Sequence, residues 1–480
     1  MRIYNVKEKM ITIFRKIFLL SRKKEKVNNT IRAVYHIFLL ILLLGGILGL
    51  GLWVSYFTSN ILAKLIIIIS VMLFFQGIFA IVLLLYTWNN PLKHFEEKKH
   101  FPYENPFYSF TALVPAHFEE EVIAKTIESI NAIDYPNFKK QIFILVNEKD
   151  NEKTIAITKK TIAKIGQKNI KLLVFSGPAG KSEGLNIGLS KSDKDIVTIF
   201  DAEDRVHPDI FKAINTIFVR EGADIVQSGV QLMNYEKDWY SLFNVLEYYF
   251  WFKSSLHFFA KSNVVPLGGN TVFFRRHLLE EIGGWDENSL TEDADIGIRL
   301  SALGVNTSIF YDERLSTREQ TPPTLTSFIK QRTRWNQGFM QIFFKGDWLR
   351  LGTFKQKVFI LYVLLWPFVQ AMLFFFIPIF IGASFFIKLP IALSMVSFIP
   401  LYILIIFSVI SNLVIYDFIK KYNKKYSIWL IPKIFLMIIP FQMLLGISAL
   451  RAMYRQIFQK VNWEKTEHLK VNDNSIESDE

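Results

Sequence analysis

The chain has 480 residues, of which 51% are hydrophobic and 21% charged, with a net charge of +13; mean hydropathy is +0.25. That average is too apolar for an ordinary soluble enzyme, and the charge is too high for a protein made only of membrane segments, so two kinds of region share the chain. With no cysteine, disulfides, thiolate nucleophiles and Cys-ligated metals are excluded. Excess positive charge flanks apolar runs, at Arg15, Lys16, Arg22, Lys23, Lys24 and Lys26 and again at Lys420, Lys421, Lys424 and Lys425. It therefore reads as positive-inside anchoring at a lipid bilayer, with no nucleic-acid partner.

Residues 1–32 form a basic arm. Within it, 10–20 suits either an interfacial helix or a disordered segment. Residues 33–57 and 62–88 are apolar runs longer than the about 20 residues a helix needs to cross a bilayer. Together, 33–90 is expected to hold two transmembrane helices, with 58–61 outside and both flanks cytoplasmic. The first run is too long for a signal peptide and lacks a small-residue cleavage site.

From about 105 to 345 the character is soluble. Runs expected to be strands (110–115, 142–146, 171–175, 195–200, 224–230) alternate with helical stretches near 119–132, 152–166, 183–191 and 207–220. This alternation predicts an α/β domain on a parallel sheet, with ligands at the carboxyl ends of the strands. Two aromatic-rich helices, 239–260 and 324–345, fit the membrane interface better than a buried core. Residues 357–450 are expected to supply three or four further transmembrane helices, and 428–450 reads as a clear span. An odd number would put Arg451, Arg455 and Lys460 outside, so an even number or one re-entrant segment is expected. Residues 451–480 read as a cytoplasmic tail.

Four clusters carry chemistry. Asp201 and Glu203, in Asp201-Ala202-Glu203-Asp204 after an apolar strand, can hold a hard divalent cation, Mg²⁺ or Mn²⁺; an acidic turn capping the next helix competes with that reading. Glu292 and Asp293 open a helix and suit either its dipole or a general base. Gln331, Arg334 and Trp335 on one helix suit pyrophosphate binding and sugar stacking, or interfacial anchoring. Lys181 and Asn186 follow Gly180 in a loop that leads into a helix, an arrangement that suits phosphate.

In this order, the Lys181 loop, the acidic pair, the Thr-Glu-Asp motif and the Gln-x-x-Arg-Trp motif resemble the processive family 2 glycosyltransferases, the group of cellulose, chitin and hyaluronan synthases. The Asp-Ala-Glu-Asp variant and the tail from Trp463 to His468 look like a bacterial branch associated with β-glucan synthesis. The resemblance implies an α/β GT-A (Rossmann-like) catalytic domain inserted between transmembrane helices, and an inverting transferase in the plasma (inner) membrane with its catalytic domain cytoplasmic. It implies a nucleotide-sugar donor, UDP-glucose or UDP-N-acetylglucosamine, and a growing β-linked polysaccharide moved across the membrane, with export partner proteins possible. The alternative is a non-processive transferase adding one sugar to a lipid carrier or glycolipid.

The resemblance further implies roles. Asp201 and Glu203 hold the metal, with Glu203 standing where most relatives carry Asp. Asp293, with Glu292, takes the acceptor proton. Glu148 or Asp150 meets the nucleotide, together with Lys181, Asn186, Asp201, Gln331 and Arg334. Trp335 and Gly269 meet the acceptor. The chain shows neither the C-terminal gating motif of cellulose synthases nor a regulatory domain, so cyclic-dinucleotide control is not expected.

Overall fold

The computed structural model describes residues 36, 39–89, 102–149, 151–177 and 180–460. The 10–20 segment, Asp150 and the Trp463–His468 tail lie outside them.

Among the described residues nine strands are present: β1 (Phe110–Ala116), β2 (Lys140–Asn147), β3 (Ile170–Phe175), β4 (Ile196–Ile199), β5 (Ile225–Ser228), β6 (Val230–Leu232), β7 (Val272–Arg275), β8 (Thr307–Phe310) and β9 (Thr317–Glu319). Seven build one sheet in the order β3-β2-β1-β4-β7-β5-β8, and β6 pairs with β9 in a second. β1 to β4 are parallel, as the strand–helix alternation predicts. The expectation of a wholly parallel sheet is corrected by β7, which runs antiparallel to both β4 and β5. Its reversal has a consequence for the site. Val272 pairs with Ile199 at the carboxyl end of β4, so the residues just before β7, Gly268 to Asn270, lie across the edge where Asp201 emerges.

The sheet is buried on both faces. One side closes on a phenylalanine cluster in which the Phe110 and Phe211 rings stack at 4.4 Å and Phe273 meets both edge-on. The other side carries a core that runs without interruption from Leu113 and Val272 in the sheet, through Tyr249 and Phe328, to Ile415, Ile434 and Phe441 in the apolar helices. The domain and the helices are thus joined by packed side chains rather than by linkers alone.

The helices used below are α1 (Leu39–Ser55), α2 (Ile61–Asn89), α3 (Lys181–Lys191), α4 (Trp239–Phe250), α5 (Glu292–Ala302), α6 (Leu325–Lys345), α7 (Trp366–Phe386), α8 (Ile399–Lys421) and α9 (Leu430–Ile457). Among the described residues, α2, α7, α8 and α9 are long and apolar enough to cross a membrane. α2 ends against the domain, where Thr87 Oγ1 donates to the Lys253 carbonyl at 2.7 Å. α7 begins there, with Asn336 bonded to Gln370, and α8 returns, its Asp417 accepting from Tyr249 and Lys253.

α9, which covers the run read as one more span, also packs along the domain. Phe441 stacks on Phe243 at 4.8 Å and contacts Phe328. Further along, Thr333 Oγ1 reaches the Ser448 carbonyl and Arg455 Nε donates to Gln337 Oε1 at 3.0 Å. α9 therefore runs alongside α6 in the same direction. Hydropathy measures composition and cannot tell a lipid neighbour from an apolar protein one. The segment 239–260, with its π-helical turn Trp251–Ser255, is packed between β6, α8 and α9, and Tyr249 is fully buried.

Phe211→Ala would empty the centre of the phenylalanine cluster. A loss of about 3–5 kcal/mol is expected for such a truncation, read as a lowered thermal midpoint of the detergent-solubilised protein.

Candidate active site

A cavity of about 1180 Å³ opens at the carboxyl edge of the sheet and continues between the apolar helices. Asp201, Glu203, Lys181, Gly269, Glu292, Asp293, Gln331, Arg334 and Trp335 all line it. Positions separated by more than 150 residues in the chain thus meet in one hollow.

The acidic pair stands just past β4, as a strand's end dictates. Its loop is tied down by Asp204, which is buried, accepts from the Asp201 backbone N–H at 2.8 Å and from Asn270 Nδ2. Asp204 is thus occupied in shaping the turn, which leaves Asp201 and Glu203 facing the cavity. Glu203 is pushed up to about 8, chiefly by burial and then by the Asp201 and Glu119 charges. Glu292 and Asp293 sit in the first turn of α5. Asp293 is pushed up to about 7 by burial and by its neighbour Glu292, with the Ala294 N–H, Lys181 and Arg334 pulling the other way.

Lys181, in the first turn of α3, joins the two acidic clusters. Its Nζ donates to Asp201 Oδ1 at 2.8 Å, lies 3.4 Å from Glu292 Oε1 and reaches the Gly269 carbonyl at 3.4 Å. Burial opposes its charge, but Asp201 and Glu292 outweigh that and hold it protonated. Gly269 fits because a Cβ there would stand 3.1 Å from Asp293 Oδ2; a side chain would fill the space before that carboxyl. The adjoining Thr271 is buried and adopts φ 49°, an uncommon conformation for a β-branched residue. It is held by its own N–H to Ile199 and by Thr317.

On α6, Arg332 and Arg334 diverge. Arg332 pairs with Glu247 and Asn244 and lies 4.6 Å over the Trp335 ring, so it braces the helix. Arg334 Nε and Gln331 Oε1 are buried and lack hydrogen-bond partners among the described residues while lining the cavity, as polar atoms kept for a ligand would be. α6 approaches the Thr291-Glu292-Asp293 turn closely because residue 338 is glycine: a Cβ there would fall 2.3 Å from Thr291 Oγ1.

Two expected residues are placed elsewhere. Asn186 does not line the cavity; its amide bonds the Trp285 carbonyl and Glu287, and its oxygen accepts from the Trp285 N–H at 2.9 Å. A helix position facing a neighbouring loop cannot also face the donor, so Asn186 orders the 285–287 loop. Glu148 is exposed and forms no wall of the cavity. Its neighbours Asn147 and Lys149 do, together with His117, Phe118 and Glu119 after β1. His117 and Glu119 went unnoticed in the sequence, although they immediately follow a strand's carboxyl end, where ligands gather.

The donor set fits a divalent cation of the Mg²⁺ or Mn²⁺ kind. Among the described residues no cluster of three or more His, Cys, Asp or Glu is present, so a closed all-protein site is not offered. Two carboxylates that rely on phosphate and water to complete the shell are what such ions commonly use.

The family description "Glycosyltransferase like family 2" matches residues 106–338. The β-monoglucosyldiacylglycerol synthase of Trichormus variabilis is 30% identical over 49% of this chain and 49% of its own. The poly-β-1,6-N-acetyl-D-glucosamine synthase of Staphylococcus epidermidis is 24% identical over 52% of this chain and 59% of its own. The chain thus spans about half the length of these curated relatives. Among solved structures, a mannosyltransferase of Pyrobaculum calidifontis in complex with GDP-Man and Mn²⁺ superposes with a TM-score of 0.55 at 17% identity, covering 83% of this chain and 99% of that one. Residues 106–338 thus match this family's model, and the domain has the GT-A fold.

Gly338→Ala should push α6 off the Thr291 turn. The expected result is a loss of activity of roughly tenfold or more, following the cost of small displacements of catalytic groups, together with a lower thermal midpoint. Unchanged values of both would show that Thr291 moves aside freely.

Proposed function

We propose that this chain, carrying a family 2 glycosyltransferase domain, transfers a sugar from a nucleoside diphosphate donor to an acceptor hydroxyl with inversion, giving a β-linkage. The observation that carries the reading is the ammonium of Lys181 bonded to Asp201 and 3.4 Å from Glu292: the phosphate-side acids and the acceptor-side acids share one cavity.

Asp293 takes the proton from the acceptor hydroxyl. The oxygen bonds to the anomeric carbon as the bond from that carbon to the diphosphate oxygen breaks, and the leaving group departs with the electron pair. Negative charge therefore grows on the diphosphate, where Lys181, Arg334 and the Gln331 amide already stand. A divalent cation held by Asp201 and Glu203 would neutralise part of that charge. The Trp335 ring suits the face of the acceptor sugar or its equivalent, and Gly269 leaves the base its working space. The nucleoside lies toward His117, Asn147 and Lys149. UDP-glucose and UDP-N-acetylglucosamine are the donors proposed.

The basic cluster from Lys420 to Lys425 lies at the end of α8 that returns to the domain. This supports a cytoplasmic domain on a plasma-membrane protein, divided as residues 33–90, 105–345 and 357–450 suggest. The Gln-x-x-Arg-Trp motif supports repeated addition into a β-linked polysaccharide; the apolar walls beyond Trp335 support single addition to a lipid.

Four outcomes test the chemistry. Asp293→Asn should lower kcat by roughly 10²–10⁴, the usual worth of a positioned base, measured as UDP release; near-normal release would sink the assignment. In the parent, kcat should rise with pH through about 7 as Asp293 ionises. The linkage has a definite sign. A carboxyl whose folded pKa is raised holds its proton more tightly in the native state, so stability falls as pH climbs from the ordinary carboxylate range through about 7. Asp293→Asn removes that penalty, and its thermal midpoint at pH 8 in EDTA should exceed the parent's. EDTA should also stop UDP release, with recovery on adding Mn²⁺ or Mg²⁺.

A further inference from the structure

The cavity does not end at Trp335. It continues as an arm walled by Leu73 and Leu84 of α2, Leu373 and Ile377 of α7, and Ile403 and Leu404 of α8. Apart from the Trp366 indole, the hydrogen-bonding side chains that α2, α7, α8 and α9 bring to it are Gln76, Ser411 and Gln442, and Gln76 is already bonded to Tyr362. Every hexose of a threaded polysaccharide would bring several hydroxyls into these walls with few partners, which is costly. An acyl chain would leave one apolar medium for another.

Among the described residues, side chains also pack across the far end of the arm. On α2 its walls stop at Leu73 and on α7 at Ile377, each near the middle of its helix, while on α8 they reach Pro400 in the first turn. At and beyond this level Ile66, Leu73, Phe376, Phe380 and Ala383 form a packed cluster. Phe398 caps it with its ring 5.2 Å from that of Phe380, and Ser70 Oγ donates to the Ser397 carbonyl at 3.2 Å. Among the described residues a polymer would have to part this cluster, whereas a tail could end before it.

We propose that the acceptor is a neutral lipid alcohol of the diacylglycerol kind, with its hydroxyl at Asp293 and acyl chain in this arm. This rests on Asp293 being the base, and it also explains why a base is present. An alcohol must lose a proton to attack, whereas a lipid phosphate is already an anion and would meet the carboxylates of Glu292 and Asp293. The alcohol oxygen bonds to the anomeric carbon, the nucleoside diphosphate leaves with the bonding electrons, and Asp293 keeps the proton.

The test uses the full chain in detergent micelles and a diacylglycerol bearing a diazirine in one acyl chain, photolysed and mapped by mass spectrometry. Adducts are expected at Leu73, Leu373, Ile403 or Leu404, reduced at least tenfold by excess 1,2-dioleoylglycerol and by Ile403→Trp. Phe385→Trp, on an exposed outer position, should leave them unchanged. Adducts confined to outward residues such as Phe385 and Leu413, or stronger displacement by a polyprenyl phosphate, overturn the proposal. In parallel, UDP-[¹⁴C]glucose with dioleoylglycerol should place label in the organic phase; an ethanol-insoluble polymer in its place overturns it. Specific adducts in the arm without UDP release from any nucleotide sugar would sustain the lipid site and remove the transferase chemistry, so the two failures are distinguishable.

Discussion

One half-buried ammonium sets the terms for the rest of the site. Asp201, Glu203, Glu292 and Asp293 line a single cavity, and four carboxylates brought together away from bulk water repel strongly. Lys181 offsets this at the point where the two pairs come nearest. The mutual repulsion that remains shows in Glu203 and Asp293, both displaced upward from the carboxylate range. Such displacement costs stability and is found where groups must exchange protons or bind cations. The electrostatics and the chemistry therefore have one cause.

Holding that arrangement takes elements from the whole domain. β4 delivers the acidic pair, the reversed strand β7 brings Gly269 across from it, α3 supplies the lysine, and α6 presses against the Thr291 turn through Gly338. Because the core continues from the sheet into α8 and α9, the helices are part of the site's frame. Lys253 shows this at one contact: it bonds Asp417 of α8 and Glu313 of the domain and lies over Trp88 of α2. A cavity that starts at the sheet edge and ends among apolar helices follows directly from such a joint.

Much of the domain was legible in the sequence because its strands are short apolar runs between helix-forming stretches. β1, β2 and β3 fall within two residues of their expected limits for that reason. β7 has four residues, Val272 to Arg275, and follows a glycine-bearing loop, so it gives no periodic signal; its direction depends on the path of the chain around the site. Asn186 misled because sequence order fixes which loop a residue belongs to and not which way its side chain turns from the helix. Glu148 lost its place to Asn147 and Lys149 for the same reason, through the alternation of faces just past a strand end.

Taken alone, the sequence determined the alternation of apolar and soluble regions, the α/β character of residues 105–345, and the kinds of groups available for chemistry, because composition and periodicity are local properties. Only the tertiary structure decided that the 201–203 and 292–293 acids meet at Lys181, that α9 lies along α6, and that the arm beyond Trp335 is apolar. Those outcomes depend on which surfaces pack together across hundreds of residues, and packing partners are not written in any local pattern.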